Sequence, residues 1–271
     1  MFENQKLTIK EKFGYGLGDT ASNIVFQIVA NFMLFFYTDV YGLSAAAAGT
    51  LLLVVRVFDG VIDPVMGGIA DRTRTKWGTY RPYLLFLSVP YAIFAVLTFV
   101  TPDFSAEGKL LYAYVSYALL MICYTAVNIP YSALGGVMTS DPKERSSLQS
   151  YRFSMAMLGG VIVVWALPIL VEKLGNGSAQ QGYQWAMVGL GSLAALCFVA
   201  CFFYTKEDTE NIEPPVKGNM MKDFLSLFKN DQWVLISLIS LATLILIGVR
   251  SAVAPHFMKY YVGEPSLTGS F

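Results

Sequence analysis

Seven apolar stretches run along the chain, each bounded by polar residues: roughly 14 to 38, 45 to 69, 81 to 100, 109 to 137, 150 to 171, 183 to 204 and 232 to 262. A helix needs about 20 mostly apolar residues to cross the hydrocarbon of a bilayer, so the pattern predicts seven membrane-spanning helices. The polar turns between them fall into two classes. "TDVYGLSA" carries no Lys or Arg, and the turns near 101 to 109 and 172 to 182 carry only Lys109 and Lys173. On the other side lie Lys6, Lys10 and Lys12, then Arg72, Arg74, Lys76 and Arg81 in "DRTRTKWGTYR", Lys143 and Arg145 in "SDPKER", and Lys206, Lys217, Lys222 and Lys229. Lys and Arg accumulate on cytoplasmic loops, which predicts a cytoplasmic N-terminus.

The stretch 205 to 229, with Pro214, Pro215 and Gly218, is the one long polar interruption. Six spans, a cytoplasmic linker and the start of another unit is the plan of transporters built from parallel repeats. The expected organisation is therefore a six-helix bundle over 1–204, a linker over 205–229, and the start of a second bundle over 230–271. On that plan further spans belong to the whole protein.

Composition fits a membrane chain: 55% of the 271 residues are hydrophobic and 14% charged, against about a quarter charged in soluble proteins. A net charge of zero gives no footprint for nucleic acid. Cys123, Cys197 and Cys201 sit in apolar segments without ligand spacing and read as small hydrophobes. The opening "MFENQKLTIKEK" is polar and leads into a long apolar segment, which does not match a cleaved secretory signal.

Ionisable groups in mid-membrane are costly and mark pathways or sites. "RVFDGVIDPVMGG" puts Asp59 and Asp63 four apart, and so on one helix face, with Arg56 on the same side. Two carboxylates and one guanidinium leave one net negative charge. That suits a monovalent cation, either Na⁺ on hard oxygen ligands or H⁺ held as a neutral carboxyl group; an internal Arg–Asp pair that packs helices is the plainer alternative. Pro64 removes an N–H and crowds the carbonyl of Gly60. In the fourth span Tyr124, Thr125 and Asn128 form one polar patch, and in the first Asp19, Asn23 and Gln27 share a face beside Ser22. Arg152 either snorkels to the cytoplasmic surface or reaches into a cavity. The polar stripes of spans one, two, four and five line one cavity on this reading, with the smoother third and sixth spans outside. Asn, Gln, Tyr and Arg suit sugar hydroxyls, although Asn23, Gln27 and Asn128 also suit hydrogen bonding between helices.

Other features are plainer. "GYGLGD" opens an apolar helix with no strand before it, so it is not a phosphate loop. Gly159, Gly160, Gly189 and Gly191 are expected at close helix approaches. His256 and Arg250 fall in the seventh span. A seven-helix receptor holding retinal needs a Lys well inside the last span, whereas Lys259 lies near its end. A membrane hydrolase needs a nucleophile beside its base, and His256 has no Ser or Cys partner in the pattern.

The blocks "YGLGD", "FFYTDVYGLSAAAAGTLLLVVRVFDGVIDPVMGGIADRTRTKWGTYRPYLL", "YTAVNIPYSALGGV" and "LQSYRF" resemble the glycoside-pentoside-hexuronide:cation symporters, the melibiose permease-like group of the major facilitator superfamily. The resemblance runs along essentially the whole chain. It implies an all-α major facilitator bundle and a secondary active symporter, not an enzyme, in a bacterial cytoplasmic membrane. It implies a cation site at Asp59, Asp63 and Thr125, with Asp59 and Asp63 as the metal ligands should Na⁺ be coupled. The asparagine that supplies a further ligand in that group is matched by Ile62 here, and a lost oxygen weakens a Na⁺ shell but not a protonation site, which favours H⁺. Substrate contacts are implied at Asn23, Tyr124, Asn128 and Arg152, with Ser22 beside them. The amides Asn23 and Asn128 stand where melibiose permease has aspartates, which leaves Arg152 without those carboxylates and a glycoside, pentoside or hexuronide as cargo. Gly67, Asp71 and Arg72 match the superfamily loop signature. No cofactor is implied beyond the coupling ion, and the expected partners are a small sugar and the bilayer, with no nucleic acid and a monomer at full length.

Overall fold

The chain enters its first helix at Thr8, whose hydroxyl accepts the Glu11 N–H while the Glu11 carboxylate reaches back to the Thr8 backbone. This reciprocal cap satisfies donors that a helix N-terminus otherwise leaves open. The computed structural model describes residues 6–207 and 226–257. Among them the elements are helices: α1 (Ile9–Phe35), continued by a π-helical turn (Phe36–Val40), α2 (Ala45–Arg72), α3 (Arg81–Phe86), α4 (Ser88–Thr98), α5 (Ala106–Val137), α6 (Pro142–Gly175), α7 (Ala179–Tyr204) and α8 (Asp231–Phe257). The chain divides into two compact units, Met1–Val216 and Lys217–Phe271; α1 to α7 belong to the first and α8 to the second.

Among the described residues five helical runs are long and apolar enough to cross a membrane: Ile9–Val40, α2, α5, α6 and α7. The third predicted span, 81 to 100, is instead two helices meeting at Leu87 (φ −95°, ψ −7°). Pro90 has no N–H for the carbonyl of Phe86, which leaves the backbone one hydrogen bond short where the two helices meet. The Ser88 hydroxyl covers the carbonyl of Leu85 at 2.8 Å. Pro64, Pro130 and Pro168 lie inside α2, α5 and α6, which run through them unbroken. The predicted seventh span is described to Phe257; the side chains of Arg250 and His256, Lys259, and linker positions 208–225 lie outside the described residues.

Within the first unit α1 packs along α6 and α7, α2 along α5, and α4 against both α5 and α7. The core is aromatic: Tyr15, Phe36, Tyr91, Tyr117, Tyr131 and Phe198 are all buried. α7 joins α1, α4 and α6, and α2 and α6 are the least buried of the long helices. On α2 the residues Leu53, Val57, Val61 and Val65 point outward, as do Met157, Val161 and Trp165 on α6. Such apolar faces are at home in lipid or against other spans. Of the paired glycines, Gly159 faces Thr20, Gly160 faces Gln27 and Gly191 faces the Ala92 backbone, whereas Gly189 has nothing near it.

Candidate functional site

Asp59 and Asp63 lie one turn apart on α2, on the side that meets α5. From α5 the Thr125 hydroxyl reaches Asp59 Oδ1 at 2.7 Å and Asp63 Oδ1 at 3.0 Å, and Thr125 itself is buried. One hydroxyl carries one proton, so it satisfies one carboxylate at a time. Arg56 offers little compensation: its guanidinium stands 3.9 Å from Asp59, is 43% exposed, and lies over the Phe26 ring. The three oxygen-bearing side chains thus form a cluster with spare negative charge. Hard oxygen donors of this kind fit a small cation or a proton. Ile62 adds no ligand atom, and among the described residues no group of three or more His, Cys, Asp or Glu side chains comes together.

The second group is built from α1, α5 and α6. Arg152 Nε donates to Asp19 Oδ2 at 2.9 Å, with both side chains largely buried. Arg152 therefore reaches into the bundle, and although Asn23 and Asn128 are amides, Asp19, three residues before Ser22, gives it a carboxylate neighbour. Asn23 Nδ2 donates to the Asp19 carbonyl at 3.0 Å and to Asp19 Oδ1 at 3.4 Å. The Ser22 hydroxyl donates to Asn128 Oδ1 at 3.5 Å, and the Tyr124 ring stacks near Phe26. Gln27, on the same stripe by spacing, bonds Asn31 instead. Tyr124, Thr125 and Asn128 place contacts to both groups on adjoining turns of α5. A recess lined by Phe26, Arg56, Leu120 and Tyr124 opens between α1, α2 and α5.

The loop after α2 holds the third predicted set. Gly67 is inside α2 and Arg72 ends it. The Asp71 carboxylate accepts the Tyr80 hydroxyl at 2.9 Å, and Arg74 donates to the carbonyls of Asp71 and Thr73. Burial first, then the Asp71 carboxylate, push the Tyr80 phenol above its ordinary value. A residue that the pattern did not single out fixes this loop: the Glu207 carboxylate accepts the N–H groups of Thr79, Tyr80 and Arg81 at 2.5–2.7 Å. It caps the start of α3, where three orphan donors converge. Gly78 (φ +114°) turns the chain so that a Cβ there would meet the same carboxylate.

A family profile described as MFS/sugar transport protein matches residues 14–271. The inner membrane symporter YicJ of Escherichia coli (strain K12) is 41% identical over 99% of this chain and 58% of its own length. The isoprimeverose transporter of Lactiplantibacillus pentosus is 37% identical over 95% of this chain and 54% of its own length. The chain thus spans somewhat more than half the length of these relatives. The crystal structure of a D-xylose-proton symporter aligns over 96% of this chain and 59% of its own, with a TM-score of 0.50 at 15% identity, and so shares the fold. The family and both relatives are transporters, which sets aside the receptor and membrane-enzyme alternatives.

Proposed function

Because the chain belongs to the MFS/sugar transport protein family, we propose that it forms the N-terminal part of a secondary active sugar:cation symporter. It is an integral membrane protein of the melibiose permease-like symporter group. In this reading residues 1–204 are the six-helix bundle, 205–229 a cytoplasmic linker and 230–271 the start of a second bundle. The N-terminus lies in the cytoplasm of a bacterium, and the full-length protein works as a monomer. The cation binds at Asp59, Asp63 and Thr125, and the sugar meets Asn23, Tyr124, Asn128 and Arg152 beside Ser22. Gly67, Asp71 and Arg72 belong to the loop that moves with the bundle. No cofactor takes part beyond the coupling ion.

The observation that carries this reading is the Thr125 hydroxyl set between two carboxylates on the neighbouring helix. The cluster has a place for one more positive charge, and with Ile62 beside it the proton is the coupled ion favoured. A bound cation screens the spare charge next to α5, and α5 also presents Asn128 and Tyr124 to the sugar. Coupling between two sites is reciprocal, so each occupant favours the other as the bundles rock about the midplane. One relative is named for isoprimeverose, which puts a neutral glycoside or pentoside first on the panel, with a hexuronide beside it.

The test is uptake by the full-length protein in membrane vesicles, with neutral xylosides and glucuronides offered separately, with and without Na⁺. Saturable uptake driven by a cation gradient supports the reading. Uptake indifferent to every imposed cation gradient contradicts it.

A further inference from the structure

Asp19 is the buried carboxylate that the proposed sugar and cation sets leave out, and it touches two members of the sugar set at once. Its Oδ2 receives Arg152 Nε at 2.9 Å, and its Oδ1 and carbonyl receive Asn23 Nδ2 at 3.4 and 3.0 Å. A pair serving only to hold two helices together gains most from the two-pronged geometry, in which two guanidinium nitrogens meet two carboxylate oxygens. Here the contact uses Nε alone. Among the described residues neither terminal guanidinium nitrogen of Arg152 has a hydrogen-bond partner, and neither does Asn23 Oδ1, yet none of these atoms is a buried unsatisfied one.

The guanidinium is also held from below. Its carbon stands 5.2 Å over the Tyr131 ring, and that ring is itself fixed, stacked on Tyr15 at 4.7 Å with its hydroxyl on the Tyr15 carbonyl at 2.7 Å. A planar fork gripped at one nitrogen and set against aromatic faces, with Phe153 also 5.7 Å away, is restricted in orientation. We propose that Asp19 is a positioning residue of the sugar site, one that aims the free terminal nitrogens of Arg152 and the free amide oxygen of Asn23 at the substrate. It orders both groups before the sugar arrives, so less freedom is lost on binding. The inference rests on the transport reading above, and on Arg152 and Asn23 as sugar contacts within it.

The experiment uses the full-length protein in vesicles and measures initial uptake of radiolabelled methyl β-xyloside and of methyl glucuronide, taking whichever the wild type accumulates. Asp19→Asn is expected to raise KM about tenfold or more while the maximal rate stays within about twofold, the split for an interaction that sets binding. Asp19→Glu, which keeps the charge one methylene further out, is expected to recover part of the loss. The deciding arm is a cycle with Arg152→Gln. If Asp19 acts through Arg152, Asp19→Asn adds nothing to the KM of Arg152→Gln, whereas independent effects multiply. The double variant buries no lone charge, so it keeps the test open should Asp19→Asn fail to reach the membrane. Multiplying effects, or a wild-type KM in Asp19→Asn, overturn the role of Asp19 while leaving the transport reading intact. No saturable wild-type uptake of either sugar overturns the transport reading and this inference with it.

Discussion

The hydroxyl of Thr125 on α5 stands 2.7 Å from Asp59 Oδ1 on α2, joining two helices at the point where the second carries spare negative charge. In the proposed reading the threonine oxygen, here a hydrogen-bond donor to a carboxylate, serves as a ligand when a cation is bound.

Thr125→Val keeps the shape and removes the oxygen. A hydroxyl that donates to an ionised carboxylate stabilises the cation-free site, while the same oxygen is a ligand for a metal cation, so Thr125→Val should lower apparent affinity for Na⁺ and leave the site able to take a proton. Thr125→Ser should restore most of that Na⁺ affinity. Sugar uptake measured against cation concentration checks both.

Ile62 lies between the two aspartates on the turn that faces the cluster by sequence. Ile62→Asn adds an amide oxygen there, and Na⁺ stimulation of uptake should appear or increase in that variant. Equal stimulation in Ile62→Asn and wild type counts against proton coupling by a missing ligand.

Glu207 takes three backbone N–H groups at the start of α3. Glu207→Ala leaves those donors without their acceptor, at roughly 1–3 kcal/mol, and should lower the thermal transition of the purified protein by a few degrees. Glu207→Gln, which keeps one acceptor oxygen, should lose less.

A Cβ on Gly182 would fall on the backbone carbonyl of Val171, which cannot yield without shifting α6, whereas one on Gly189 meets nothing within 4 Å. Gly182→Ala should sharply reduce folded protein in the membrane. Gly189→Ala should be neutral or stabilise by up to about 1 kcal/mol, the difference between Gly and Ala inside a helix. Fluorescence size-exclusion of solubilised membranes compares them.

The helices were legible because lipid demands long apolar runs, and the Asp59–Asp63 face because 3.6-residue spacing alone puts it there. Thr125 came from the family resemblance; spacing on α5 shows a polar patch but not which helix it meets. The Asp19–Arg152 pair spans 133 residues, and nothing local in the chain announces such a partner. Asp19 read as one step of a stripe that continues to Gln27, yet Gln27 bonds Asn31. Glu207 lies in a polar segment with several other charges, and a cap supplied from 126 to 128 residues away leaves no mark beside the helix it caps. The break at Leu87 was not legible, because Pro90 lacks an N–H just as Pro64, Pro130 and Pro168 do, and those three lie in unbroken helices.

The most direct test of the cation site is Asp59→Asn combined with Asp63→Asn in the full-length protein, with sugar counterflow, uphill accumulation and sugar-driven proton movement measured on the same vesicles. The account predicts that the variant still exchanges sugar by counterflow but neither accumulates it nor moves protons. Accumulation at the wild-type level, with proton movement intact, would contradict it.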